Sequence, residues 1–309
     1  MKPAATISQS DIAPPAHESA LAAISGRARD YASLTKPRIV FMVLITVVVG
    51  YVLGARGGPH PATLLSTLVG TGLVAASASC LNQWMERARD ARMRRTANRA
   101  LPRKRVSPRE ASILGAVLGC AGMALLLAGA NVPAAAVAGT TLAMYVLVYT
   151  PLKPRTTLNT AIGAIPGALP PVIGWAASTG TIGMEAFALF LIVFLWQFPH
   201  FLAIAWLYRE DYARGGMRML PNVDPDGSIT ARQATLYALS LVPASLLPTM
   251  IGLAGHVYFT GALLLSLAYL AAAVRFWAGV SDAGARRLLR MSFLYLPLVL
   301  LLLVLNPPA

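Results

Sequence analysis

The sequence predicts an all-α polytopic membrane bundle of nine transmembrane helices, with the N-terminus cytoplasmic and the C-terminus outside. Three observations predict it. Of 309 residues, 56% are hydrophobic and 12% charged, against roughly 45–50% apolar in ordinary soluble domains. Nine near-continuous apolar stretches follow one another, at about 39–57, 62–82, 112–130, 132–150, 158–178, 186–207, 234–253, 257–279 and 287–306. Most reach the roughly 17–25 residues that cross a hydrocarbon core of about 30 Å. The third observation is charge placement. Of 26 Lys/Arg, five precede or open the first span, and ten, two, four and four lie in the connections 2–3, 4–5, 6–7 and 8–9. Arg56 alone falls elsewhere, in connection 1–2. The positive-inside rule then sets the orientation. Lipid cannot satisfy free backbone N–H and C=O groups, and the alternation of membrane barrels is absent, so the spans are helices.

Residues 1–30 are polar and rich in Ala, Pro and Ser, with no apolar core of a signal peptide, so they read as a disordered cytoplasmic tail. Residues 31–309 form the membrane domain. The first helix opens on LTKPRIV, where Lys36 and Arg38 flank Pro37, a residue well tolerated in a first helical turn. The second ends in LNQWMERARDARMRRTANRALPRKR. There Asn82, Glu86 and Asp90 recur every four residues and share one helical stripe. Burying two carboxylates at the bilayer centre would cost on the order of 5–7 kcal/mol. The stripe therefore belongs at the cytoplasmic end, facing water or a partner.

Two chemical readings of that stripe stand side by side. In one, Glu86 and Asp90 are solvated helix-end charges paired with Arg87, Arg89 and Arg94. In the other they hold Mg²⁺, which takes one or two carboxylates, keeps several waters and accepts phosphate oxygens; Asn82 would add a carbonyl oxygen. Arg95, Arg99, Arg103, Lys104 and Arg105 would then suit a diphosphate, given the planar fork of Arg. The formal charge of +14 does not indicate nucleic acid, since the cations sit in separate short loops.

Connection 4–5 reads YTPLKPRTTLN and places Lys153, Arg155 and Asn159; helix five reads GAIPGALPPVIGW, with three prolines and three glycines. Such a helix is irregular, which membrane depth tolerates where backbone lines a cavity or is buried in protein. Helix six continues as WQFPHFLAIAWLYREDYARGGMRMLP. Pro199 bends it next to His200, a rare ionisable group at that depth, although a lone His is more often a hydrogen-bonded bundle residue. Asp211 lies eleven positions on, about three helical turns, so a continuous helix would set both on one face. Cys80 and Cys120 have no metal-ligand spacing and are read as packing residues.

These motifs together resemble the protoheme IX farnesyltransferases (heme O synthases), a family within the UbiA superfamily of intramembrane prenyltransferases. The resemblance rests on Thr35 to Arg38; Asn82, Asp90, Met93, Arg95, Thr96 and Arg99; Tyr149, Thr150, Leu152, Lys153, Arg155, Thr156 and Asn159; Pro170, Pro171, Gly174 and Trp175; and Pro199, His200, Phe201, Asp211, Tyr212, Met219, Leu220 and Pro221. It implies nine helices around a central cavity in the bilayer of a bacterial-type inner membrane, capped on the cytoplasmic side. It implies Mg²⁺ and transfer of farnesyl from farnesyl diphosphate to a vinyl group of heme b, with addition of water. Carried onto this sequence, Asn82, Glu86, Asp90 and Asp211 become metal ligands. Lys36, Arg38, Arg95, Arg99, Lys153 and Arg155 become diphosphate contacts. Asp90, Asp211, His200 and Tyr208 are expected at the catalytic centre, and Tyr149, Tyr208 and His200 are the candidates for delivering the water. A heme A synthase or terminal-oxidase assembly factor is the expected downstream partner.

Two positions depart from the family pattern. The first acidic motif usually has Asp where this chain has Glu86, and often a further Asp where it has Ala88. Two other readings stay open: a sister prenyltransferase with another aromatic or tetrapyrrole acceptor, and a non-catalytic transporter. Transporters usually carry their ionisable residues near the midplane, whereas here they gather at one face.

Overall fold

The computed structural model describes residues 16–55 and 57–308, so Arg56 and residues 1–15 lie outside the described residues. Among the described residues there are helices and no strands. Helix α1 (Ala16–Thr35) leads into α2 (Pro37–Gly54), α3 (Pro61–Asp90), α4 (Pro108–Gly129) and α5 (Val132–Ala143). A π-helical turn, Met144–Tyr149, and the short α6 (Thr150–Leu152) complete the fourth span. Next come α7 (Asn159–Ala168), α8 (Pro170–Thr179), α9 (Met184–Leu207), α10 (Arg209–Arg214), α11 (Ser228–Met250), α12 (His256–Ala278) and α13 (Asp282–Leu305). The chain is an integral membrane protein. Among the described residues, eight segments are long and apolar enough to cross a bilayer. The seventh expected span is present as α11 but is less apolar, opening with Thr230, Arg232 and Gln233.

The stretch 16–30, expected as an unstructured tail, is helical as the body of α1. Its run of Ala, Leu, Glu and Arg favours helix, and its C-terminal end is pinned. Tyr31 and Leu34 pack with Trp84, Leu101 and Val106 in a small apolar cluster. Arg27 and the Tyr31 hydroxyl both reach Glu110 of α4, at 2.7 and 2.9 Å.

At about 1.5 Å per residue the 30 residues of α3 extend about 45 Å, well beyond the hydrocarbon core. The helix is therefore longer than a crossing needs, and its last turns, which are polar, carry the acidic stripe. The expected irregularity of the fifth span is a break at Leu169, where Pro170 and Pro171 remove two consecutive N–H donors. Helix α8 lies directly on α2. A Cβ added at Gly50 would overlap the Pro171 carbonyl oxygen, and one at Gly174 the Val47 carbonyl oxygen. Small residues set this close approach, as in other membrane crossings. The larger core lies among α8, α9, α11, α12 and α13.

Candidate functional site

Asn82, Glu86 and Asp90 are 2%, 5% and 1% exposed, so the stripe faces protein. The expectation of solvated charges paired with Arg87, Arg89 and Arg94 does not hold. Glu86 instead pairs with Lys153 at 2.8 Å, and Asp90 with Arg99 at 2.7 Å. Asn82 donates from Nδ2 to the Thr150 hydroxyl at 3.1 Å. The reason is topological: α6 packs against this end of α3, and the chain after Asp90 folds back over it. Thr96 pins that return by donating to the Asp90 carbonyl at 2.8 Å.

The second acidic segment docks on the same loop. The backbone N–H groups of Arg94 and Arg95 donate to Asp211 at 3.1 and 3.3 Å, and Arg214 pairs with it from within α10. The Arg214 bond, together with those two N–H groups, holds the Asp211 carboxyl below its usual pKa. The Arg95 guanidinium lies over the rings of Tyr208 and Tyr212, at 5.2 and 5.8 Å. A groove of about 200 Å³ here is lined by Arg94, Tyr208, Glu210, Asp211 and Arg214.

Lys36 stands between α1 and α2 in the left-handed region, φ 49° and ψ 61°. A non-glycine residue held there stores strain of about 1–3 kcal/mol, the kind that clusters at functional sites. Burial lowers its pKa to about 8, and the charges of Arg99 and Lys153 push the same way, opposed by Glu86 and Asp90. Those mutual fields place Lys36, Arg99, Lys153, Glu86 and Asp90 in one neighbourhood. Lys153 also covers the Tyr149 ring at 4.5 Å. Its loop is tied to the segment after α10: the Arg218 N–H donates to the Lys153 carbonyl at 2.7 Å, and Asn159 donates to the Arg218 carbonyl at 2.9 Å. Arg38 and Arg155 are exposed, and neither has an ion-pair partner among the described residues.

His200 departs from expectation. The helix carrying it ends at Leu207, with Tyr208 at φ −111° and ψ 20°, so the three-turn alignment with Asp211 is broken. Its Nδ1 is 2.8 Å from the Ser292 hydroxyl of α13, and its ring stacks on Trp196 at 4.9 Å. It makes no contact with the acidic residues among the described interactions. Tyr208 stays at the site as a platform for Arg95, 42% exposed.

The donor set fits a hard cation. The Asp90 Oδ1 atom is buried with no hydrogen-bond partner, which is costly unless another ligand completes it. Among the described residues no three His, Cys, Asp or Glu side chains are grouped as a metal cage, so the four expected ligands do not form a preassembled site. Mg²⁺ ordinarily takes one or two carboxylates plus substrate phosphate and water, and needs no such cage. Sequence reasoning gave no role to Arg214 or Arg218, held Thr150 only as part of the resemblance, and paired Arg94 with the acidic stripe although its N–H holds Asp211. It also missed the π-helical turn Met144–Tyr149, a distortion frequent at functional sites. Arg214 stands three residues after Asp211, a helical spacing that could have found it; the other contacts depend on how distant loops dock.

The UbiA prenyltransferase family model matches residues 43–296. The chain belongs to that family. Among curated UbiA-type relatives, a protoheme IX farnesyltransferase of Solibacter usitatus is 46% identical over 289 residues, covering 91% of this chain and 99% of the relative. Another of that name, from Salinibacter ruber, is 44% identical over 276 residues, covering 89% and 98%. Solved structures share the UbiA fold. One, from work on digeranylgeranylglyceryl phosphate synthase, aligns at TM-score 0.78 with 18% identity, covering 91% of this chain and 98% of that one. A UbiA homolog from Archaeoglobus fulgidus bound to GPP and Mg²⁺ aligns at TM-score 0.61 with 14% identity, covering 89% and 99%.

Proposed function

We propose that the chain is a Mg²⁺-dependent heme O synthase. It transfers farnesyl from farnesyl diphosphate to a vinyl group of heme b with addition of water. The observation that carries this reading is identity of 46% and 44% over about nine-tenths of the chain to proteins named protoheme IX farnesyltransferase. The geometry supports it: three carboxylates and at least five cations converge where the ends of α3 and α9 meet the loops after α1 and α6.

Asn82, Glu86, Asp90 and Asp211 would hold the metal, and Lys36, Arg95, Arg99 and Lys153 the diphosphate, with Arg38 and Arg155 at its exposed rim. Mg²⁺ supplies charge neutralisation for the departing diphosphate. The cations add preorganised stabilisation where negative charge develops. In the reaction the farnesyl C1–O bond breaks, and C1 bonds to the terminal carbon of the vinyl group. Water adds to the inner vinyl carbon and loses one proton, giving heme O, diphosphate and H⁺. The apolar bundle keeps water from the allylic cation until the vinyl carbon attacks.

The acidic ends face the cytoplasm of a bacterial-type inner membrane, because the basic loops do. The product passes to a heme A synthase or terminal-oxidase assembly factor, which co-purification from solubilised membranes would test. The deciding experiment incubates membranes carrying the protein with heme b, farnesyl diphosphate and Mg²⁺, and reads heme O by chromatography and mass. Folded protein that forms none under these conditions sinks the assignment.

A further inference from the structure

Helix α13 is fastened to α9 at Ser292. Its carbonyl accepts from Trp196 Nε1 at 2.9 Å, and its hydroxyl lies 2.8 Å from His200 Nδ1. The same hydroxyl is 2.6 Å from the Leu289 carbonyl, which can only accept. A serine hydroxyl has one proton, and it goes to Leu289. Ser292 Oγ therefore accepts from His200, so the neutral imidazole carries its proton on Nδ1 and leaves the Nε2 lone pair bare. No described residue bonds to Nε2.

The ring is packed among aromatic neighbours, stacked on Trp196. Phe201 and Phe293 both meet it edge-on with centroids at 5.2 Å. These two phenylalanines are 39% and 60% exposed while His200 between them is 8% exposed, so the frame is a recess that opens to the lipid-facing surface past the two rings. On α13, Arg286, Arg290 and Phe293 recur at i, i+4 and i+7 and share one face. Both arginines are exposed, and neither has an ion-pair partner among the described residues. The stripe runs from cationic to aromatic over about 10 Å of helix, from the end of α13 that bears the basic loop into the bilayer.

We propose that this face of α9 and α13 binds the heme acceptor, with His200 Nε2 as axial ligand to its iron and Arg286 and Arg290 holding its propionates. The proposal rests on heme b being the acceptor. A neutral imidazole nitrogen is an established ligand for heme iron, and a hydrogen bond on the opposite nitrogen fixes tautomer and ring orientation. Ser292 is then a positioning residue. Phe201 and Phe293 give the macrocycle flat apolar flanks, while its two carboxylates meet the two arginines at headgroup level, where an ion pair avoids hydrocarbon. A base for water would instead need polar surroundings, which this aromatic frame lacks.

The test uses the full-length protein in nanodiscs titrated with ferric heme b without farnesyl diphosphate. Wild type should show an imidazole-ligated heme by absorption and paramagnetic resonance. His200→Ala should lose that spectrum and regain it with free imidazole. Arg286→Gln combined with Arg290→Gln should weaken binding roughly tenfold with the spectrum unchanged. Ser292→Ala should keep the ligation and, once the bound heme is reduced to the ferrous state, shift the iron–histidine stretch in resonance Raman, and Ser292→Thr should restore it. A His200→Ala protein that binds heme with wild-type spectrum and affinity overturns the proposal, even where it has lost turnover. Wild type that makes heme O while His200→Ala keeps its spectrum refutes this inference alone; wild type that neither binds heme b nor makes heme O refutes the function as well.

Discussion

Severing the Glu86–Lys153 pair from either side should destabilise the protein far more than removing both charges together. The pair is 2.8 Å long, with side chains 6% and 14% exposed. At an effective dielectric of about 20 the gross attraction is about 6 kcal/mol, much of it offset by desolvation. Removing one partner strands a buried charge and costs roughly 3–5 kcal/mol. Glu86→Gln strands Lys153, and Lys153→Met strands Glu86. The double variant leaves only a neutral amide short of partners, at about 1–3 kcal/mol, so the coupling between the sites should be at least about 3 kcal/mol. The assay is unfolding in mixed micelles, with and without Mg²⁺, for wild type, both single variants and the double. Mg²⁺ should restore Lys153→Met, where a carboxylate awaits a cation, and should leave Glu86→Gln unrestored. Additive single effects, with coupling below about 0.5 kcal/mol, together with no selective Mg²⁺ rescue, would refute the reasoning.

Chelating Mg²⁺ should abolish farnesyl transfer, and Asp90→Asn or Asp211→Asn should lower kcat/KM on the order of 100-fold; turnover that persists in excess chelator would remove the metal from the scheme. Burial sets the Lys36 pKa at about 8, so the protonated form that attracts diphosphate is lost as pH rises through 8, and kcat/KM should fall there. Lys36→Arg, protonated throughout, should flatten that limb, and identical profiles would contradict the assignment. Glu110→Ala releases both Arg27 and Tyr31, so amide exchange over residues 27–35 should quicken and KM for farnesyl diphosphate rise several-fold; unchanged exchange would show that α1 is held by other contacts. Gly174→Val drives a side chain into the Val47 carbonyl and should cost at least about 1–3 kcal/mol, visible as a lower melting temperature in detergent.

Much of the fold was legible because lipid leaves few options: a long apolar run must be helical, and such runs foretold the apolar spans and the irregularity near Pro170, whereas the polar helices α1 and α10 carry no apolar run and were not foretold. The acidic stripe was legible for a similar reason, since residues four apart share a helix face. What escaped was set by docking between distant segments. Asp211 is held by N–H groups of residues 94 and 95, and nothing in either stretch announces the other. The His200–Asp211 alignment failed because it assumed a helix continuous through Tyr208, whose φ of −111° ends it. Glu86, one of the two departures from the family pattern, gives no sign in the sequence of its partner, Lys153 in the loop after α6 at 2.8 Å.

The pairing pattern also bears on why a metal and a diphosphate would enter together. Glu86, Asp90 and Asp211 are each occupied by a cation, Lys153, Arg99 and Arg214. A metal arriving alone must displace those cations and leave them beside it, and a diphosphate arriving alone strands the carboxylates. Arriving together they permit an exchange in which every carboxylate trades a side-chain cation for the metal and every released cation finds a phosphate oxygen. Binding of one therefore favours the other by the same factor. Lys36 and Arg95 stand outside the trade, since neither has a carboxylate partner among the described residues. Arg95 is instead held over the rings of Tyr208 and Tyr212, and Lys36 is held at a lowered pKa. These surplus positive charges give the cluster its net sign, and under the proposed function that sign would favour a polyanion over a neutral transported solute.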